Sequence, residues 1–350
     1  MGIQGRMLVL SLSDQRPTRS CRRRLCWNGH LGPVQKESVL KMKLNKLSGL
    51  VAATYTPLND DGRLNLSVIQ PMVENLLRHG VAGLYVCGST GEGMSLSSDE
   101  RKSVAEAYVT ATNGRVPVIV QVGHNSLAEA RNLAAHAQEI GADVVSATCP
   151  SYFKISDVEV LIECMSEVAG GAPSLPFYYY HIPTLTGSTL DIVDFLRQSR
   201  DRIANLVGLK YTDSKLFEFQ ECLELDDGRY DVVWGCDEML LGAIATGAKG
   251  AIGSTYNIAF PIYQKIIDAF ASGGMAEARL WQSKSVEMIR VLNQFPFHAA
   301  MKSVLCMQGF DVGGCRLPQG RLSTAEAANL QADLQAIGFF EWHETGPVAN

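Results

Sequence analysis

The sequence predicts an α/β protein whose core is a closed (β/α)8 TIM barrel, and two observations lead to this fold class. An apolar run of four to seven residues recurs eight times from Leu50 onward, each time followed by a loop and an amphipathic segment. Runs that are apolar on both faces are typical of a parallel sheet covered by helices, and eight such units in about 220 residues fit a closed barrel. The predicted strands are residues 50–55, 83–86, 116–122, 144–147, 175–180, 207–210, 231–234 and 250–253.

A doubly wound open sheet is the alternative architecture. Such a sheet would bind phosphate through a glycine-rich loop after its first strand. The first strand here is followed by Thr54-Tyr-Thr-Pro57, with neither a GxGxxG nor a Walker sequence. The closed barrel is therefore favoured.

The helices between the strands carry their own boundary signals. Glycines at positions 80, 141 and 247 each follow a helical pattern and precede a strand, as a residue just past a helix end should. Capping boxes predict four helix starts, at Ser97-x-x-Glu100, Ser126-x-x-Glu129, Ser156-x-x-Glu159 and Ser323-x-x-Glu326.

After Ser272 the strand pattern stops. Segments 275–293, 296–308 and 323–337 read as helices. We therefore expect a catalytic barrel over residues 44–272 and a C-terminal helical extension over 273–350.

Residues 1–43 differ in composition from the rest of the chain. They hold nine Lys or Arg and two acidic residues, a net charge of +7, in a chain whose formal net charge is −5. An Arg-rich, acid-poor segment fits a mitochondrial transit peptide, a disordered tail or a gene model extended beyond a true start at Met42; we favour the last two. The acidic balance of the remainder speaks against nucleic acid as a partner.

The whole-chain composition indicates a soluble protein of the cytoplasm. No apolar run approaches the length that spans a bilayer, so no membrane partner is expected. The nine cysteines are scattered without a CxxC pair, which favours reduced thiols over a disulfide framework. The seven histidines are scattered too, without HExxH or other paired-ligand spacing, so we expect no metal site.

Lys210 is the most informative residue, because it ends the apolar run of the sixth strand. Burying an ammonium is costly, and a lysine in such a place can serve as an amine nucleophile that forms Schiff bases with carbonyl substrates. The ordinary alternative is a strand-end lysine that extends to solvent. In a barrel of this kind the reacting groups lie at the C-terminal ends of the strands, so the residues after the other strands decide between these readings.

Four other strand ends carry polar groups. Cys87-Gly-Ser-Thr-Gly-Glu92 could hold an anion on backbone N–H groups and hydroxyls, or be an ordinary turn. In Tyr178-Tyr-Tyr-His-Ile-Pro183, strand alternation places Tyr178 and Tyr180 on one face of the strand. Either tyrosine could carry protons during catalysis or belong to an aromatic core. His181 could be a structural or a catalytic residue. Trp234-Gly-Cys-Asp-Glu238 could hold sugar hydroxyls or begin a helix, and Gly253-Ser-Thr-Tyr-Asn257 is another hydroxyl-rich turn. Together these groups predict Schiff-base chemistry on a 2-oxo acid.

The motifs Gly88-Ser-Thr-Gly-Glu92, Tyr180-His-Ile-Pro183 and Gly208-Leu-Lys210 resemble the dihydrodipicolinate synthase / N-acetylneuraminate lyase family of class I pyruvate aldolases. The resemblance extends from about Lys46 to Leu322. The stretch 177–187 and the turn 253–257 look like the lyase subgroup, especially its animal form. Leu185 stands where the synthases usually carry an arginine for a second carboxylate.

The resemblance implies a role for each matching residue. Lys210 would form the imine, and Tyr180 would move the proton during cleavage. Ser89 and Thr90 would hold the pyruvyl carboxylate. Tyr152, in Cys149-Pro-Ser-Tyr152, would be an accessory tyrosine, although its flanking residues differ from the family pattern. The sugar chain would be held by Thr212, Gly235, Asp237, Glu238 and Ser254.

The resemblance also implies the activity and the assembly. The expected reaction is cleavage of N-acetylneuraminate, a sialic acid, to N-acetylmannosamine and pyruvate by a homotetramer that needs no metal or organic cofactor. The alternatives are another pyruvate-dependent 2-oxo acid aldolase of the same family, or a catalytically silent barrel that binds sugar acids.

Overall fold

A computed structural model describes residues 46–343, and its eight parallel strands close into a barrel. Each strand pairs with the next along the chain, and the eighth pairs with the first. The predicted (β/α)8 TIM barrel is therefore confirmed. The strands are β1 Gly49–Ala53, β2 Gly83–Val86, β3 Val118–Gln121, β4 Val144–Ala147, β5 Phe177–His181, β6 Leu206–Tyr211, β7 Asp231–Trp234 and β8 Gly250–Gly253.

Twelve helices accompany the strands within this range, with short 3-10 turns between some of them. None of them is long and apolar enough to cross a membrane. Those of the barrel are α1 Ile69–His79, α2 Ser98–Thr112, α3 Leu127–Glu139, α4 Val158–Ala169, α5 Pro183–Thr186, α6 Ile192–Ser199, α7 Leu216–Gly228, α8 Leu240–Thr246 and α9 Tyr256–Ala271. Those after the barrel are α10 Met275–Leu292, α11 Phe297–Met307 and α12 Thr324–Ala336.

Helix starts follow the predicted caps except at α4. Ser97 and Ser323 form reciprocal capping boxes, and Ser126 accepts from the backbone N–H of Glu129. The box predicted at Ser156 is wrong, because Asp157 caps α4 instead and accepts from the N–H of Val160 at 3.2 Å. Aspartate is as good an N-cap as serine, so the helix begins one residue later.

The barrel separates two apolar cores. Side chains that point inward from the strands fill the interior, and they include Val51, Tyr85, Tyr178, Tyr180 and Val233. Residues that point outward pack against the surrounding helices in a larger core. This alternation follows from the period of two along a strand, and it decides which residues of β5 and β6 can face each other inside the barrel.

The three C-terminal helices are confirmed within two residues of the predicted bounds. They add buried side chains such as Met288, Val304 and Leu334 to the outer core. The interpretation of residues 1–43 lies outside the described part of the chain.

Candidate active site

Lys210 points into the barrel interior rather than to solvent. The residue is 4% exposed, and its Nζ lies 4.2 Å from the ring centroids of both Tyr85 and Tyr180. The two rings meet edge to face, with centroids 5.7 Å apart. An amine held between two rings inside the barrel is a candidate nucleophile for a carbonyl substrate.

The register of the sheet produces this grouping. β5 and β6 are parallel neighbours in which Tyr180 is paired with Lys210. Tyr178 and Tyr180 share one face, as predicted, and it is the inner one, whereas Tyr179 packs outward on Phe195 with ring centroids 5.0 Å apart.

Tyr85 is a site residue that sequence reasoning missed. It lies inward on β2, donates or accepts a hydrogen bond with Ser146 Oγ at 3.1 Å, and has its pKa raised well above the ordinary value by burial. The sequence feature that could have revealed Tyr85 is its inward-facing position on β2, two residues before Cys87 at the end of the strand. Only the stagger of the closed barrel brings that position level with Lys210.

The turn after β2 is strained at both ends. Cys87 and Glu92 adopt left-handed backbone conformations, with φ of 59° and 55°. Gly93 approaches so closely that a Cβ there would stand 2.0 Å from the carbonyl oxygen of Cys87. Such conformations persist only where the surroundings enforce them, and they concentrate at functional sites.

The turn presents donors at the mouth of the barrel. Thr56 Oγ1 donates to the carbonyl of Gly91 at 2.7 Å and fixes the turn from β1. Over residues 46–343, the N–H groups of Ser89 and Thr90 donate to no protein acceptor. These groups and the two hydroxyls can bind a carboxylate.

Glu92, at the end of the same turn, is bound by two residues of the C-terminal extension, one on a helix and one in a loop. Its Oε1 lies 2.6 Å from Nζ of Lys302, and both side chains are at most 1% exposed. Its Oε2 accepts from the backbone N–H of Arg316 at 2.7 Å. The motif contained Glu92, but its two partners lie far downstream and were not predicted.

Thr212 and Gly235 lie side by side after β6 and β7. The buried Oγ1 of Thr212 has no hydrogen-bond partner in the described structure. A Cβ on Gly235 would stand 2.0 Å from that oxygen, so only glycine leaves the hydroxyl free. The pair offers one unpaired hydroxyl, two residues after Lys210 in the sequence.

Asp237 is buried and engaged by the turn after β8. Its Oδ2 accepts from the backbone N–H of Thr255 at 2.9 Å and from the Thr255 hydroxyl at 2.6 Å. Burial raises the pKa of its carboxyl to about 6, and these two bonds oppose the rise. Glu238 is exposed, and Ser254 is half-buried with its carbonyl bound by Asn257.

Tyr152 does not join the buried group. It is 78% exposed in the loop after β4, where its ring packs on Phe153 with centroids 5.0 Å apart. The backbone N–H groups of Ser151 and Tyr152 are held by Asn125 Oδ1 at 2.8 and 3.0 Å. Leu185, on α5, is also exposed.

Comparisons with known proteins give the relatives of this chain. Residues 46–337 match the model of the dihydrodipicolinate synthetase family. An N-acetylneuraminate lyase of Xenopus tropicalis is 45% identical over 246 residues, which cover 70% of this chain and 80% of the relative. The rat N-acetylneuraminate lyase is 37% identical over 302 residues, or 85% and 94% of the two chains. The solved structure of the Proteus mirabilis N-acetylneuraminate lyase superposes with a TM-score of 0.82 at 39% identity, covering 84% of this chain and all of that one.

Proposed function

The chain belongs to the dihydrodipicolinate synthetase family, and we propose that it is a class I aldolase that cleaves N-acetylneuraminate to N-acetylmannosamine and pyruvate. The observation that carries the proposal is the position of Lys210 Nζ, 4.2 Å from the ring centroids of Tyr85 and Tyr180 inside the barrel. The relatives named above, which are N-acetylneuraminate lyases, support the substrate.

The reaction begins with attack of the Lys210 amine on C2 of the open-chain 2-oxo acid. Loss of water gives a protonated imine, which is an electron sink. The C3–C4 bond then breaks, its electron pair moves toward the imine nitrogen, and the C4 hydroxyl becomes the aldehyde of N-acetylmannosamine. Tyr180 relays the hydroxyl proton to C3 of the resulting enamine. Water hydrolyses the imine and releases pyruvate and the free lysine, so no resident cofactor is required.

The turns around the barrel mouth orient the substrate in this proposal. Ser89 and Thr90 bind the carboxylate next to C2. The sugar chain lies toward the turns after β6, β7 and β8, where it is held by Thr212, Gly235, Asp237, Glu238 and Ser254. Tyr152 is an accessory residue that reaches the substrate only if its exposed loop closes.

Leu185 favours a sugar acid over a substrate with a second carboxylate. Its side chain is 60% exposed on α5 and cannot pair with an anion, whereas an arginine there could do so bidentately. Purified protein should therefore cleave N-acetylneuraminate and should fail to condense pyruvate with aspartate semialdehyde efficiently. Efficient condensation would instead place the chain with the synthases.

Trapping of the imine tests the chemistry directly. Pyruvate plus borohydride should add one pyruvyl group per chain, and peptide mapping should find it on Lys210. Lys210→Ala should abolish both the adduct and turnover, because within residues 46–343 no other lysine lies against the rings of Tyr85 and Tyr180. Lys215→Gln is the matched control, since Lys215 lies just after β6 but is part-exposed and ion-paired to Asp213. A silent sugar-acid-binding barrel would bind ligand without any adduct.

We further propose that the protein works as a homotetramer in the cytoplasm. All seven cysteines within residues 46–343 have free thiols, which suits a reducing compartment. Large exposed apolar side chains, such as Phe217 at 73% and Leu280 at 56%, would be covered by subunit contacts. Sedimentation velocity of the purified protein and fractionation of cells test the two statements separately.

A further inference from the structure

His181 lies on the outer face of β5 and has no partner for its polar atoms. It is 1% exposed, and in the described chain neither of its ring nitrogens makes a hydrogen bond. The rings of Tyr179 and Tyr211 flank it, with centroids 6.1 and 5.3 Å away. Buried polar groups are nearly always satisfied, so an orphaned imidazole in an aromatic slot needs an explanation.

Two carboxylates face this imidazole from other elements. Asp213 lies in the loop after β6, and Glu218 lies in the first turn of α7. A ring nitrogen of His181 and one oxygen from each carboxylate all lie within 4.8 Å of one another. Three potential ligands thus converge from a strand, a loop and a helix.

The two carboxylates have few other partners. Tyr211 Oη donates to Glu218 Oε2 at 2.6 Å, which is the kind of bond that orients a coordinating carboxylate. Asp213 Oδ1 accepts from the N–H of Ser214 at 2.7 Å, and its Oδ2 pairs with Lys215 Nζ at 3.3 Å. Lys215 is part-exposed and can turn away to solvent.

We propose that His181, Asp213 and Glu218 bind a divalent transition-metal ion of the zinc class, with a further position open to water. One imidazole nitrogen and two carboxylate oxygens suit such an ion, whereas calcium and magnesium prefer all-oxygen sites. Metal–ligand bonds of about 2.0–2.1 Å put neighbouring ligands roughly 3.3 Å apart, so small side-chain rotations close the site.

The protonation state of His181 is compatible with coordination. Burial lowers its pKa to about 4; Asp213 opposes this shift and Lys215 adds to it. The neutral imidazole, which burial favours, is the form that coordinates a metal.

The ion would lie behind the proposed active site and would take no part in its chemistry. His181 follows Tyr180 on β5 but points to the other side of the sheet, and Asp213 comes three residues after Lys210. Coordination would link the C-terminal ends of β5 and β6 to α7. The proposed metal site depends only on its three ligands and not on the aldolase proposal.

Co²⁺ is the probe that tests this site in the full chain. After treatment with a chelator, the wild-type protein should bind one Co²⁺ with a visible absorption band that Zn²⁺ abolishes and that lacks the charge-transfer band of a thiolate ligand. His181→Gln and Asp213→Asn should each weaken Co²⁺ binding at least tenfold. His136→Gln is the matched control, because that histidine pairs with Glu106 at 2.8 Å on the surface and should leave binding unchanged.

Two further measurements keep the test decisive if His181→Gln is poorly folded. Zn²⁺ should raise the Tm of the wild type and of His136→Gln but not of Asp213→Asn, whose side chain is 14% exposed and keeps its shape in the variant. Lys215→Gln should tighten Co²⁺ binding roughly two- to fivefold, because it removes a partly exposed competing charge. Absence of saturable Co²⁺ binding, or equal binding by wild type, His181→Gln and Asp213→Asn, would overturn the proposal.

Discussion

At the scale of single residues, two tyrosines contact the same amine but are not equivalent. Both rings lie 4.2 Å from Lys210 Nζ. The Tyr85 hydroxyl is already bonded to Ser146 Oγ, whereas within residues 46–343 the Tyr180 hydroxyl has no hydrogen-bond partner. A group that relays protons needs a hydroxyl that is free to bond the substrate. We therefore propose that Tyr85 packs against the amine and that Tyr180 carries the proton.

Phenylalanine substitutions separate these two functions. Tyr180→Phe should lower kcat by about 10²–10⁴-fold, the usual contribution of a general acid–base group, while borohydride still traps the pyruvate imine. Tyr85→Phe keeps the ring and loses one hydrogen bond, so kcat should change less than tenfold. Steady-state kinetics and mass spectrometry of the trapped adduct give both values. Equal losses in the two variants would contradict this division.

The raised pKa of Asp237 leads us to expect a fall of kcat/KM at acidic pH. Burial raises the pKa of its carboxyl to about 6, so the group is ionised above that pH and protonated below it. In the proposed complex the ionised form would accept hydrogen bonds from substrate hydroxyls, and protonation would replace an acceptor by a donor. We expect kcat/KM to fall below about pH 6 in the wild type, and this decrease to vanish in the weakly active Asp237→Asn. If kcat/KM of Asp237→Asn still falls below about pH 6, another group causes the decrease.

At the scale of elements, the turn after β2 shows where sequence reasoning succeeds and where it stops. Its motif predicted a turn at a strand end, which the structure has, because glycines and hydroxyls in that order need no distant partner; anion binding by this turn stays a prediction. The burial of Glu92 could not be predicted, since Lys302 and Arg316 come from helices and loops more than two hundred residues away. The error in the predicted start of α4 has a local cause. Ser156 and Asp157 are adjacent, and either can cap a helix.

The ion pair between Glu92 and Lys302 should be among the costliest contacts to break. Lys302→Met leaves a fully buried carboxylate without its cation, so the free energy of unfolding should fall by about 3–5 kcal/mol. Glu92→Gln combined with Lys302→Met should recover much of that loss. The exposed pair of Arg202 and Glu159 is the control, and Arg202→Met should cost at most about 1 kcal/mol. Urea titrations measure all three; equal costs at the two pairs would refute the argument.

At the scale of the whole molecule, the alternation of strands and helices was readable because each strand is buried on both faces. Four of the eight strands, β2, β4, β7 and β8, have the predicted bounds, and the others differ by up to two residues at an end. The pairing of Lys210 with Tyr180 followed from adjacent strands. The approach of Tyr85 did not, because it depends on the stagger with which the barrel closes, and single-strand patterns carry no information on that stagger.

Truncation at the N-terminus should leave the protein unchanged, whereas truncation at the C-terminus should destroy its fold. A chain that begins at Met42 keeps Leu47, whose backbone N–H donates to Asp231 Oδ2 at 2.8 Å, and it keeps every element of the barrel. We expect its activity and Tm to match those of the full chain. A chain that ends at Ser272 loses Lys302 and Arg316, so the Glu92 side chain loses both of these partners. It also exposes the apolar surface that α10–α12 cover in the full chain. That chain should aggregate or unfold without cooperativity, as judged by near-UV circular dichroism and thermal melting. If it melts cooperatively near the full chain's Tm, the barrel stands alone and the C-terminal helices do not stabilise it; if the chain from Met42 loses activity, residues before it belong to the working protein.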